Sequence, residues 1–218
     1  MKCLKTLVLV SFVSLLAACA VSVTAHEEEG DISRVFGGID IHKGAKVGDL
    51  SSVNGGVDIG SNAVVGDVST VNGGIDIGSQ VQIKSAETVN GGIEARQDLA
   101  VKGDLSTVNG GIELSSDSLI GGSIETVNGD IDLSGVTISR NIETVNGDVS
   151  LLNSTQLKGD LIISKNSGWF SSVTKNKIVI TIDENSSVDG TIHLYQKVIL
   201  KIAKNAKVNE IEYHYERE

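Results

Sequence analysis

The sequence predicts an all-β protein built as a single parallel β-helix, a solenoid in which short strands stack coil upon coil. Three observations predict this fold. The tripeptide Val-Asn-Gly recurs six times at intervals of 18 or 19 residues, which is the spacing of a small unit stacked on its own copy. Aliphatic residues occupy nine consecutive positions at a spacing of six, from Val53 to Val101. The chain has 25 Gly and no Pro, which suits tight turns between fully hydrogen-bonded strands.

The first 18 residues have the pattern of a secretory signal peptide. Lys2 and Lys5 precede an apolar run that is too short to span a bilayer. The segment that ends Leu-Ala-Ala-Cys19 resembles a bacterial lipobox, which predicts cleavage before Cys19 and its acylation. Cleavage after Ala25, giving a soluble secreted protein, is the alternative. Either route predicts an exported chain in the periplasm, at the outer membrane or on the cell surface, and acyl chains on Cys19 would anchor it to the membrane.

Composition and period divide the rest of the chain into three parts. Residues 19–34 are small, polar and acidic, and are predicted to form a tether or an N-terminal cap. The regular repeats are predicted over residues 35–163, where the first copy is degenerate because Phe36 replaces Asn. Residues 164–218 are predicted to hold irregular C-terminal coils and a cap, since two related segments follow each other there at a longer period of 20 residues.

Residue alternation within a coil predicts which side chains face the core. Around one corner, Val71 is interpreted as inward and its neighbours Thr70 and Asn72 as outward. The predicted structural ladders are then an inner column of valines and an outer column of asparagines, whose amides hydrogen-bond from coil to coil. The valines are Val53, Val71, Val89, Val108, Val127 and Val145, and the asparagines are Asn54, Asn72, Asn90, Asn109, Asn128 and Asn146. A string of β-hairpins is the structural alternative, because Asn-Gly between apolar residues favours two-residue turns.

The repeats carry a resemblance to a known family. Gly-Asp-Leu/Val-Ser steps, beginning at Gly48, Gly66 and Gly103, alternate with Val-Asn-Gly-Gly-Ile-Asp/Glu. This pattern resembles the bacterial polymer-forming cytoskeletal proteins (bactofilins) and the related adhesin-like β-solenoids of cell envelopes, over roughly residues 36–208. The resemblance implies a right-handed parallel β-helix with a structural or adhesive role. The predicted export signal departs from the bactofilins, which work on the cytoplasmic side.

Two outward columns are candidate binding surfaces. An acidic column would offer oxygen ligands to Ca²⁺ or Mg²⁺, although a solvated face that keeps the tube soluble explains the same residues. Its members are Asp58, Asp76, Glu94, Glu113 and Asp132. A Thr-x-Asn array is predicted as a flat polar face for ordered water or a crystalline glycan, and ordinary ladder residues explain it equally well.

Other side chains give weaker signals. Trp169 and Phe170 interrupt the repeats with the only Trp, and are interpreted either as a contact for a partner or for self-association, or as a plug that fills a wider coil. The four histidines, His26, His42, His193 and His214, show no metal-ligand spacing with a second His or a Cys. The sequence therefore predicts no catalytic residue, no cofactor and no metal site.

The net charge of the chain argues against two classes of binding function. The formal net charge of −10 argues against binding to nucleic acid and against electrostatic adhesion to anionic lipid. The sequence predicts a non-enzymatic, exported structural or adhesin-like β-helix protein of the bacterial cell envelope, with self-association or an envelope component as its partner. Two alternatives are a self-polymerising, bactofilin-like scaffold, and a cation- or glycan-binding module that uses the outer acidic or Thr-x-Asn columns.

Overall fold

The structure of the protein, a computed structural model, describes residues 23–25, 28–165 and 177–216, with side chains from residue 30 onward. Strands, turns and loops make up these ranges, and they contain no helix. The strands are parallel and stack as a β-solenoid of about nine turns. The predicted fold is confirmed. The hairpin alternative is wrong, because consecutive strands do not pair with each other and each pairs with its equivalent one coil away.

The strand bounds follow in chain order. The first coils contain β1 (Val23–Ala25), β2 (Glu28–Glu29), β3 (Ile32–Phe36), β4 (Ile39–Ile41), β5 (Lys46–Val47), β6 (Leu50–Asn54), β7 (Val57–Ile59), β8 (Asp67–Asn72) and β9 (Ile75–Ile77). The middle coils contain β10 (Gln82–Ile83), β11 (Ser85–Asn90), β12 (Ile93–Ala95), β13 (Ala100–Val101), β14 (Leu105–Asn109), β15 (Ile112–Leu114), β16 (Ser118–Ile120), β17 (Ile124–Asn128) and β18 (Ile131–Ser134). The last coils contain β19 (Val136–Ile138), β20 (Ile142–Asn146), β21 (Val149–Leu152), β22 (Gln156–Leu157), β23 (Leu161–Ile163), β24 (Ile178–Ile182), β25 (Ser187–Leu194), β26 (Val198–Ile202) and β27 (Lys207–Tyr213).

Each coil has three faces. The first face is a ten-stranded sheet in the order β1-β4-β7-β9-β12-β15-β18-β21-β24-β26. The second face holds short strands such as β10 and β13, and the third holds the longer strands from β3 to β23. The second and third faces join through β25, which turns the corner between them with an irregularity between Val188 and Thr191.

The core is a column of aliphatic side chains that runs along the axis. Each face sends two side chains inward, with an outward residue between them, as Ile75 and Ile77 do on either side of Asp76. The second face of the same coil contributes Val81 and Ile83, which are equally buried. Burying each such side chain stabilises the fold by roughly 1.5–3 kcal/mol, so the stack is held together by many similar contributions.

The corners between faces use different chemistry. Between the first and second faces the chain turns through left-handed residues, including Asn62, Gln80, Asp98 and Asp117, whose φ angles lie at 61–62°. Between the second and third faces a carboxylate braces neighbouring coils. The backbone N–H of Asp67 donates to Asp49 Oδ1 at 2.9 Å, and this hydrogen bond is the main cause of the lowered pKa of Asp49. The aspartates of the Gly-Asp dipeptides therefore connect neighbouring coils by hydrogen bonds.

Residues 19–34 are predicted to form a tether or an N-terminal cap, and the strands described among them stack on the next coil. Val23 pairs in parallel with Ile39, and Ile32 pairs with Leu50. Residues 23–25, 28–29 and 32–36 thus form one more coil, since each of their strands pairs in parallel with a strand of the next coil. Residues 19–22 lie outside the described ranges.

The described strands of the C-terminal part continue the same stack. Val149 pairs with Ile180, so the register resumes after a 31-residue coil that contains residues 166–176, which lie outside the described ranges. The segment predicted to seal the end, beginning at Glu210, is part of β27, which pairs with β25. No described strand covers the outer edge of β26 or β27.

Candidate functional site

The Val-Asn-Gly motif forms the corner between the third and first faces, and its register differs from the prediction. Thr70 is 3% exposed, whereas Val71 is 40% exposed. The threonine therefore faces the core and the valine faces solvent, and the predicted inner column of valines is wrong. Val53, Val108 and Val127 are exposed as Val71 is, and Val89 and Val145 are half-buried.

Hydrogen bonding explains why threonine occupies the inward position. The Thr70 hydroxyl donates to the carbonyl oxygen of Gly55 in the previous coil at 2.9 Å. The contact recurs in the following coils, from Thr88 to Gly73, Thr107 to Gly91 and Thr126 to Gly110. A valine there would leave these glycine carbonyls without this donor, at a cost comparable to a lost hydrogen bond. Thr144 holds the same position, fully buried, and its hydroxyl has no hydrogen-bond partner among the residues that the structure describes.

The asparagines of the motif form a continuous outward ladder. From Asn72 to Asn146, each side-chain amide donates to the Oδ1 atom of the asparagine in the preceding coil, at 2.9–3.0 Å, whereas the Asn54 amide donates to the Val35 carbonyl oxygen. The ladder runs from Asn54 to Asn146, and Phe36 continues the column above Asn54. Since every amide is both donor and acceptor, the ladder fixes the register of the coils at this corner.

Beside the asparagines lies a column of outward valines, which we call the valine column. It comprises Val35, Val53, Val71, Val89, Val108, Val127 and Val145, placed by the pairing of the residues on either side of each. Val35 and Phe36, at its N-terminal end, are 59% and 57% exposed. Seven rungs at about 4.8 Å make an apolar stripe about 30 Å long on a flat sheet face. Sequence reasoning missed this stripe because it placed the valines in the core.

The same register shows that the predicted Thr-x-Asn face is wrong. Its threonines are buried, from Thr70 to Thr144, so only the asparagine half of the array reaches solvent. A flat two-column surface of hydroxyls and amides, as ordered water or a crystalline glycan would require, does not exist at this corner.

The acidic side chains occupy one outward column on the first face. Asp58 pairs with Asp40 and Asp76, and the column continues through Glu94, Glu113 and Asp132. An open groove of about 590 Å³ runs along it, lined also by Ser61, Arg96 and Ser115. Burial, followed by hydrogen bonding and repulsion from Asp40 and Asp76, raises the pKa of Asp58 from 3.8 to about 6. Asp58 therefore takes up a proton at a higher pH than an ordinary aspartate does.

The structure corrects the reading of the histidines. His193 on β25 lies beside His214, and the Nδ1 and Nε2 atoms of the two rings are 3.2 Å apart. His193 pairs with Glu212 of the next coil, and His214 lies two residues beyond Glu212, so stacking of the coils brings the two histidines together. The sequence signal was the 20-residue period of the C-terminal segments, which the irregularity within β25 shortens by one residue before His193.

Three of the predicted site residues lie outside the described ranges. These are Cys19, the predicted site of lipidation, and Trp169 and Phe170, the predicted partner contact. The residues on either side of the latter pair, Ile163 and Ile178, belong to the third and first faces.

Comparison with protein-family models, with curated proteins and with solved structures gives no significant match for this chain. Within the described residues, no helix has the length and apolar character needed to cross a membrane. The functional argument therefore depends on the surfaces themselves.

Proposed function

We propose that the chain is a non-enzymatic structural and adhesive rod of the bacterial cell envelope, exported through its N-terminal segment. The valine column carries the adhesive part of this proposal. Soluble proteins rarely expose a long, contiguous apolar surface unless it contacts a partner. Here the stripe lies on a rigid sheet between the asparagine ladder and a row of Ser and Glu side chains, so it offers a flat apolar centre with polar edges.

The experiment measures cosedimentation of the purified protein with bacterial envelope fragments. The triple variant Val71→Ser, Val89→Ser and Val108→Ser is expected to bind at least about tenfold more weakly, since polar side chains lose the apolar contact. The matched control replaces Asp76, Glu94 and Glu113 with Ser on the first face of the same coils. Circular dichroism checks that both variants keep the β spectrum. Equal binding by the wild type and the valine variant contradicts the adhesive role.

The export part of the proposal rests on the signal pattern and on Cys19. Mass spectrometry of the mature protein, expressed with its own N-terminus in a bacterial host, distinguishes the two routes. An acylated N-terminal Cys19 supports the lipoprotein, and an unmodified N-terminus at His26 supports the secreted form. Full-length protein retained in the cytoplasm contradicts export altogether.

Self-assembly end to end is the second candidate function, and the open C-terminal coil favours it. The inward side chains of this coil, among them Leu200, Ile202 and Ile211, are only partly buried against the core. The outer edges of β26 and β27 present unpaired backbone groups among the described strands, which another coil would satisfy. A second copy stacked there would continue both the core and the sheets.

Analytical sedimentation over a range of concentrations tests this assembly. Concentration-dependent oligomers that disappear in Leu200→Asp support it, because the charge would be buried at the junction. Ile199→Asp is the matched control, since Ile199 points outward from the same strand and is exposed. A wild type that stays monomeric at the highest concentration contradicts assembly through this end.

A further inference from the structure

The last two coils bring three potential metal ligands together on the outer side of the third face. His193 on β25 pairs directly with Glu212 on β27, and His214 follows Glu212 by two residues. The neighbours of His193, Ile192 and Leu194, are fully buried. Since side chains alternate along a strand, His193 points outward, as do Glu212 and His214 beside it.

The three polar atoms form a nearly regular triangle. His193 Nδ1 lies 3.2 Å from His214 Nε2 and 3.1 Å from Glu212 Oε2, and His214 Nε2 lies 3.4 Å from the same oxygen. A tetrahedral Zn²⁺ ion with ligands at about 2.0–2.1 Å holds its ligand atoms about 3.3–3.4 Å apart. The observed edges therefore fit one ion seated just above the triangle.

Neighbouring groups hold both imidazole rings. Asp160 Oδ2 lies 3.9 Å from His193 Nε2, the ring nitrogen turned away from the triangle. Asp160 is itself fixed, because the Thr191 N–H donates to its other oxygen at 2.8 Å. A carboxylate on the far side of a histidine is the arrangement that orients metal-bound imidazoles. The ring of Tyr195 stacks on His214 with centroids 4.2 Å apart.

We propose that His193, Glu212 and His214 form a Zn²⁺ site that joins the last coil to the coil before it. Two imidazoles and one carboxylate are a suitable donor set for zinc, and they leave a fourth position for water. The three side chains are partly exposed, so this position faces solvent. The ion connects β25 to β27 at the end of the solenoid, where Val208 and Ile211 are only partly buried. Zinc therefore stabilises the terminal coil.

The experiment counts the Zn²⁺ ions bound by the full chain, by calorimetric titration and elemental analysis after chelation. The test variant carries His193→Gln and His214→Gln together, and His42→Gln, in one of the first coils, is the control. The wild type and the control are expected to bind one ion per chain more than the test variant. Asp160→Asn is expected to weaken this binding about tenfold or more, because it disturbs the orientation of His193.

Cobalt provides a second readout. Co²⁺ bound in place of Zn²⁺ is expected to give the intense visible absorption of a tetrahedral ion in the wild type, and the test variant is expected to lack it. Circular dichroism establishes whether the variant keeps its β structure. If it does not fold, the wild type still decides the matter, since saturating Zn²⁺ must raise its melting temperature and Glu212→Gln must reduce that rise. Equal numbers of bound ions in the wild type and a folded test variant, no melting shift with Zn²⁺, or an octahedral Co²⁺ spectrum in the wild type would overturn the proposal.

Discussion

The hydroxyl of Thr88 donates a 2.9 Å hydrogen bond to the carbonyl oxygen of Gly73, fifteen residues earlier in the chain and one coil away. Thr88 is buried in the core, while Val89 beside it faces partly into solvent. The contact joins the strand of one coil to the glycine corner of the previous coil. It explains why a polar residue interrupts an otherwise aliphatic interior.

Separate substitutions at Thr88 and at Val89 test which of these two neighbouring side chains faces the core. Thr88→Val keeps the shape of the side chain but leaves the Gly73 carbonyl without this donor, so we expect a loss of about 1–3 kcal/mol in the free energy of unfolding. Val89→Thr is the same exchange at an outward position, and we expect a change within about 0.5 kcal/mol. Denaturant unfolding measures both. The reverse order of effects would restore the valine to the core.

The two glycines of one corner are expected to differ sharply in their tolerance of alanine. A Cβ atom at Gly73 would overlap the backbone carbonyl of Gly55, whereas one at Gly74 would lie 3.5 Å from the nearest atom, the carbonyl oxygen of Gly92. Gly73→Ala is expected to cost about 3 kcal/mol or more, because the backbone must shift. Gly74→Ala is expected to stay within about 1 kcal/mol. Melting temperatures of the pair check the prediction, and similar losses at both sites would count against the close stacking of the corners.

Removing one rung of the asparagine ladder is expected to have a moderate effect. Asn90→Ala deletes the hydrogen bond to Asn72 and the one received from Asn109, which are 3.0 and 2.9 Å long. Because the ladder is exposed to water, we expect a loss of about 1–2 kcal/mol. Ser106→Ala, on the outer side of the same face, serves as the control and should change stability by less than about 0.5 kcal/mol. Unfolding of the two variants at equal levels of denaturant would show that the ladder adds nothing.

Stability is expected to fall as the pH rises through about 6. The pKa of Asp58 is raised to about 6, chiefly by burial and then by Asp40 and Asp76. A carboxyl group with a raised pKa favours folding fully below its unfolded value of about 4, and this contribution is lost above the folded value. Screening by solvent limits the effect to about 1 kcal/mol. Melting temperatures between pH 4.5 and 7.5 measure it.

Asp58→Asn is expected to flatten this pH dependence, because the amide stays neutral throughout. Glu87→Gln removes one charge from the third face, where the paired residues are Ser69 and Ser106, and should leave the slope unchanged. The lowered pKa of Asp183, where hydrogen bonds outweigh the opposing effect of burial, acts in the opposite direction. The stabilisation by Asp183 is lost as the pH falls below about 4. The effects of Asp183 and Asp58 on stability therefore occur in different pH ranges. An unchanged slope in Asp58→Asn contradicts the raised pKa of Asp58.

The repeat period predicted the solenoid, but hydrophobicity alone misplaced one column. Val71 was assigned to the core because it is aliphatic and its neighbours are polar. The better signal was Val68, two residues before Thr70, since the equivalent positions Ala86 and Leu105 are also apolar. Strand alternation from these residues places the threonine inside. The valine and asparagine then both face outward, because the corner interrupts the alternation.

The histidine pair could not be predicted from local motifs, which compare residues a few positions apart. His193 and His214 come together only through parallel pairing across a whole coil. The length of that coil depends on an irregularity within β25, and a fixed period of 20 residues would place Tyr213 rather than Glu212 opposite His193. Once the pairing is known, the proximity of the two rings follows from strand geometry.

The uniform register of the coils also bears on how such a chain changes over generations. From Thr70 to Asn146, each coil offers its neighbours similar aliphatic pairs, a threonine at the same inward position and an asparagine amide. Recombination between two repeats in the gene would therefore add or delete whole coils while every new junction reproduces an old one. Such events would change the length of the rod in steps of about 4.8 Å without creating a new kind of contact between coils.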